Sequence, residues 1–150
     1  MTDQTLKAQI TEAMKDAMRA RDKDRLGAIR LIQAEIKRIE VDERIYVDDE
    51  RMLVVLDKMI KQRRDSINQY QNAGRQELAD KEQAEIEVIQ GFLPAQLSDR
   101  ELDELVSRAI SESGAESMKD MGKVMAILKP QVQGRADIGA VSQNVKARLN

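Results

Sequence analysis

The sequence has no cysteine and no histidine. Without thiols there is no disulfide framework, no thiolate metal site and no cysteine nucleophile. With imidazole missing as well, most zinc sites and every Ser-His-Asp or Cys-His arrangement are excluded. Aromatic side chains are nearly absent: Tyr46, Tyr70 and Phe92 are all there are. That scarcity favours small helical packing units of Leu, Ile, Val, Met and Ala over one thick aromatic core. No run of apolar residues approaches the length of a membrane span. The polar "TDQTLKAQ" after Met1 offers no apolar stretch of signal-peptide length. A soluble cytoplasmic protein is therefore expected, with no membrane contact, no cofactor and no metal.

What the chain does have is charge in helical register. Of its 150 residues, 41% are apolar and 35% charged, enough for one modest domain or two small ones. Leu6, Ile10, Met14 and Met18 step by four and predict a first helix, with Thr2 or Asp3 able to cap it. "ARDKDR" breaks that pattern without glycine or proline, as a tight turn or a near-continuous join. Leu26, Ile29, Ile32, Ile36 and Ile39 mark a second helix. Met52 to Tyr70 mark a longer third, with Asp48 at its start and Gly74 at its end. A fourth carries Leu78, Ile86, Ile89 and Leu93 and is expected to stop at Pro94. Ser98 followed by Glu101 has capping-box spacing for a fifth, which Gly114 ends. Ser117 opens a short sixth helix that Pro130 is expected to close, and Asp137 is placed to cap a seventh bearing Val141, Val145 and Leu149.

No segment alternates apolar and polar residues long enough to be a strand. The expectation is all-α: about four longer helices in an N-terminal domain, residues 1–94, then a three-helix domain, residues 95–150, divided at "LPAQLSD".

Net charge is −2, but it is unevenly spread. Residues 118–150 carry six cations against two anions, and residues 96–117 carry two cations against six anions. The basic excess is concentrated in "MKDMGKVMAILKPQVQGRAD", where Lys119, Lys123, Lys129 and Arg135 are interleaved with Gly122, Gly134 and Pro130. Lys119 and Lys123 are i, i+4 neighbours, and Lys129 and Arg135 bracket a turn. Gly122 inside a helix costs about 1 kcal/mol relative to Ala, which suggests close approach by a helix or a ligand backbone. Gly134 and Gly139 flank a helix start whose N–H groups can meet phosphate oxygens. Two readings follow: a well-capped turn with solvated lysines, or a surface that contacts phosphates. Lacking aromatics for base stacking, the second reading points to a folded RNA read by shape and backbone.

Elsewhere, "KQRRDS" reads as a solvated face with surface ion pairs. Asp48, Asp49 and Glu50 read as a cap and a complement to the helix dipole. The carboxylates of "ELADKEQAEIE" lack any sign of a pocket for acid–base work.

"AGRQELA", "LPAQLS", "KDMGKVM" and "GRAD", within a likeness running from the first helix to Leu149, closely resemble the stand-alone bacterial YqeY proteins of the GatB/YqeY family. The resemblance implies an all-helical protein in two parts. It implies kinship with the tail of the B subunit of tRNA-dependent amidotransferases, which helps engage tRNA and is not the catalytic part. A similar module is appended to some glutaminyl-tRNA synthetases. The implied partners are therefore tRNA or another folded RNA, and an amidotransferase or aminoacyl-tRNA synthetase. The residues expected to carry the nucleic-acid contact are Lys119, Lys123, Lys129, Arg135, Gly122 and Gly134. The resemblance also implies association with a carbon–nitrogen ligase activity that uses glutamine as amido-N-donor. With no amidase-like constellation and no Gly-rich phosphate loop in the chain, that activity is expected only with partner subunits. A protein–protein adaptor that touches no RNA is the remaining alternative.

Overall fold

The computed structural model describes residues 5–150. Among them are seven α-helices and one short 3-10 turn: α1 Leu6–Arg19, α2 Lys23–Glu43, α3 Asp49–Asn72, α4 Gln76–Gln90, α5 Asp99–Ser113, the 3-10 turn Met118–Asp120, α6 Met121–Val132 and α7 Ile138–Leu149. The protein is all-α, and no strand occurs among the described residues. The chain packs as two compact units, one ending at Leu93 and the other running Pro94–Asn150.

In the first unit α4 lies along α3 and α2, and α1 packs against α2 and α3. The core is aliphatic, built on Ile10, Ile29, Ile32, Ile36, Met52, Leu56, Met59, Ile60, Ile86 and Ile89. Thr5 caps α1 by accepting the Ala8 N–H at 3.1 Å. Thr2 and Asp3, also considered for this role, lie outside the described residues. The predicted stripe on α1 drifts before its end: Ala17 is buried and Met18 is 50% exposed. The cause is geometric, since a step of four overshoots the 3.6-residue turn and walks off the buried face. "ARDKDR" is a turn, with Arg21 left-handed at φ 56° and Asp22 capping α2. Asp48 caps α3 through the Arg51 N–H at 2.9 Å. Helix α4 ends at Gln90 rather than running to Pro94; Gly91, Phe92 and Leu93 turn back on the carbonyls of its last residues.

"KQRRDS" is not a uniformly solvated face. The Arg63 side chain is only 14% exposed and lies 3.8 Å from Glu85 and 3.9 Å from Glu82, both on α4. Neither distance is a hydrogen bond, and among the described residues Arg63 Nε and Glu85 Oε2 have no hydrogen-bond partner. Burial raises the Glu85 carboxyl above its ordinary value of 4.5, against the pull of Arg63.

The second unit is a bundle of α5, α6 and α7 around Val106, Ala109, Val124, Leu128, Val132, Val141, Val145 and Leu149. The expected capping box is present: Ser98 Oγ accepts the Glu101 N–H and Glu101 Oε1 accepts the Ser98 N–H, both at 3.1 Å. Gly114 closes α5 in the left-handed region at φ 68°. Pro130 does not close α6, which continues to Val132. A proline this close to a helix end forfeits one bond to the Ala126 carbonyl, and Ala126 and Pro130 both face solvent.

Candidate nucleic-acid interface

The site residues lie on α6, the turn before it and the turn after it. Val124, Leu128 and Val132, spaced by four, bury one face of α6. The opposite face is therefore solvent: Gly122, Lys123, Ala126, Lys129 and Pro130 are all exposed. At 100° per residue Lys123 and Lys129 diverge by about 120° around the helix. They flank a strip whose centre, Gly122 and Ala126, has almost no side chain. Lys119, in the 3-10 turn, is exposed one turn before Lys123. Lys123 and Lys129 thus share the solvent side of α6, and Lys119 is exposed in the turn that leads into it.

A side-chain Cβ added at Gly122 would meet nothing within 4 Å. The close approach expected of this glycine is therefore not made by any of the described residues. Lys123 lies 3.9 Å from Asp120, a loose pair on a side chain 71% exposed. Asp120 itself is held below its ordinary value, first by the N–H of Glu116, then more weakly by the Ser117 N–H and the Lys123 charge. Among the described residues, Lys119 and Lys129 make no ion pair within 4 Å.

Arg135 and Gly134 have a different setting. Gly134 is buried and left-handed at φ 75°, so its visible work is to turn the backbone. Its carbonyl accepts Gln96 Nε2 at 3.0 Å. Arg135 Nε donates to the Ala95 carbonyl at 3.0 Å, and the Arg135 carbonyl accepts the Leu97 N–H at 2.8 Å. "PAQL" and "QGRA", about forty positions apart, are thus laced together by three hydrogen bonds. Sequence spacing carries no signal for that join. The positive charge of Arg135 also helps hold Glu101 below its ordinary value, though the Ser98 backbone N–H is the main cause.

The start of α7 is a poor phosphate seat. Asp137 stands at the N-cap without a side-chain cap bond, and its carboxylate lies 3.4 Å from where a Cβ on Gly139 would be. An anion is already there. On α7 the cation Arg148 is spent on Asp103 at 3.2 Å, on Asn144 at 3.0 Å and on the Ser107 hydroxyl. A shallow depression of about 540 Å³ on α5 is lined by Arg100, Asp103, Glu104, Ser107 and Arg108. Its mixed charge and separate residues set it apart from the α6 lysines.

Residues 7–149 match the family model described as Yqey-like protein. The chain is 35% identical over 137 residues to "Altered inheritance of mitochondria protein 41, mitochondrial" of Pyrenophora tritici-repentis, covering 89% of this chain and 75% of that one. It is 33% identical over 93 residues to a Schizosaccharomyces pombe protein whose name says only that it is uncharacterized, covering 62% and 76%. The similarly named mitochondrial protein of Eremothecium gossypii is 35% identical over 103 residues, 68% of this chain and 56% of its own. These relatives correct two expectations. They are eukaryotic, so a restriction to bacteria is not supported. Two carry mitochondrial names, which overturns the cytoplasmic assignment: a missing apolar leader or membrane span does not identify a compartment.

Proposed function

The chain belongs to the Yqey-like protein family, and from that premise we propose that its C-terminal unit binds a folded RNA, tRNA first among them, as a non-catalytic part of tRNA-dependent amidotransfer. The observation that carries this reading is the exposed face of α6, where Lys123 and Lys129 flank a glycine with open space above it and Lys119 is exposed in the turn just before. A phosphate backbone needs two things of a protein surface: cations, and nothing in the way. This face supplies both, and the scarcity of aromatics directs recognition to shape and backbone. Arg135 contributes charge at the edge of the site while holding Ala95. Gly134 shapes the turn that presents it. Carbon–nitrogen ligase activity with glutamine as donor belongs, on this reading, to partner subunits. Amidation of Glu-tRNA(Gln) by the isolated chain with glutamine and ATP would overturn that part.

The test is tRNA affinity from about 50 to about 500 mM salt, with the triple variant K119E/K123E/K129E beside the wild type. Arg135 is left intact so that the fold is not disturbed. Three phosphate contacts give a log–log salt slope of roughly −2 to −3. The variant is expected to lose at least about tenfold in affinity and most of that slope. Affinity that survives the reversal, or that is indifferent to salt, overturns the proposal.

A further inference from the structure

The corner where α2 leads into α3 holds the two most exposed of the large apolar side chains among the described residues. Val41, in the last turn of α2, is 66% exposed, Tyr46 is 64% and neighbouring Ile45 is 39%. The segment is anchored on both sides. Arg44 ends α2 in the left-handed region at φ 55°. Glu40 takes the Lys7 ammonium at 2.7 Å and the Val47 N–H at 2.9 Å, and Val47 is buried. Lys7 Nζ lies 4.5 Å from the centre of the Tyr46 ring, and Asp49 accepts the Leu6 N–H at 2.8 Å. An exposed tyrosine held in this way loses little freedom when it is covered, which makes it a suitable anchor for a partner.

The charge around it leans acidic once internal pairs are removed. Glu43 is paired with Arg51 at 2.7 Å and Asp42 with Arg38 at 3.2 Å. Asp48 and Asp49 accept only backbone N–H groups, and Glu50 makes no ion pair among the described residues. Three carboxylates therefore keep acceptor capacity toward solvent, against two cations with no ion pair among the described residues: Arg44 and, one turn before Val41 on α2, Lys37.

We infer that this corner docks a basic amphipathic helix of a partner protein. Aliphatic side chains of that helix cover Val41, Ile45 and Tyr46, and its lysines or arginines meet Asp48, Asp49 and Glu50. The three carboxylates repel a nucleic acid, so the surface is separate from the RNA reading and does not depend on it. The competing occupant is a second copy of the chain, presenting its own α6 lysines.

The full chain is titrated, by fluorescence anisotropy, against two synthetic helices of about 18 residues, one of leucine and lysine and one of leucine and glutamate. The lysine helix is expected to bind, and Val41→Ser and Tyr46→Ser each to weaken it about tenfold. Val41→Ser keeps every anchoring contact, so it reads docking without disturbing the fold. Glu50→Lys is expected to weaken binding, and K119E/K123E/K129E to leave it unchanged, so a failure here is distinct from a failure of RNA binding. Equal binding of the glutamate helix overturns the inference. So does indifference to both serine variants, or sedimentation showing a dimer that Val41→Ser dissolves.

Discussion

The two units reach stability by different routes. The first relies on long helices and a broad aliphatic core, and it tolerates a poorly made polar contact inside: Arg63 and Glu85 approach each other without a hydrogen bond. The second has a smaller core of Val, Leu and Ala. Around it, as in the first unit, the ends are fastened, here with the Ser98–Glu101 box, the Arg135 and Gln96 bonds, and the Asp103–Asn144–Arg148 network. Short bundles bury a smaller share of their surface, so caps and turns make up a larger part of their stability. The lesson is that the candidate site is divided: Gly134 and Arg135 are tied into the fold of the second unit, while Lys119, Lys123 and Lys129 stand on its solvent side.

The sharpest test of this contrast removes volume from each core. Leu128→Ala and Ile32→Ala each delete a fully buried side chain and should cost about 2–5 kcal/mol. The contrast requires that Leu128→Ala melt the C-terminal unit while amide protection persists in α2 and α3, read by hydrogen exchange. A single transition in both variants would break it. Arg135→Ala comes next. It strips a charged donor from the Ala95 carbonyl and should cost about 1–2 kcal/mol, seen as faster exchange at Leu97, with the core of the first unit unmoved. Ser98→Ala should cost about 1 kcal/mol through the lost cap.

Glu85→Gln should go the other way. Burial raises the folded carboxyl above 4.5, so folding penalises its charged form relative to the unfolded chain. The stability it contributes is present below the unfolded value and is lost as pH climbs through the folded one. The glutamine variant should therefore melt higher than wild type near neutral pH, and the gap should close below about pH 4.5. A gap that widens in acid would show that the Arg63 attraction outweighs burial. Smallest is Gly122→Ala. With open space at the Cβ, it should stabilise α6 by a few tenths of a kcal/mol, up to about 1. If the strip meets an RNA backbone, the same change should also weaken tRNA binding.

Much of this architecture is legible in the residues. The buried isoleucines of α2 follow their spacing, and Ser98 with Glu101 announces the start of α5. Positions that depend on distant neighbours are not legible. Met18 extends a stripe on paper, yet Ala17 is what meets the core. Arg63 looks like one more surface cation until α4 folds over it. Pro130 reads as a stop but sits in the last turn of α6, where solvent can take the orphaned carbonyl. At the site, the run of lysines announces a cationic face. The burial of Gly134 and the engagement of Arg135 arise from a join to residues 95–97 that no local pattern encodes. The carboxylate already beside the α7 start removes an anion seat that glycine spacing suggested.

Pro130 brings no N–H to the Ala126 carbonyl, so that oxygen, on the face between Lys123 and Lys129, has lone pairs to offer. Phosphates cannot use it, but a ribose can: its 2′-hydroxyl donates and deoxyribose has nothing equivalent. On the RNA reading, one missing backbone proton thus gives an otherwise purely electrostatic surface a means of telling the two sugars apart.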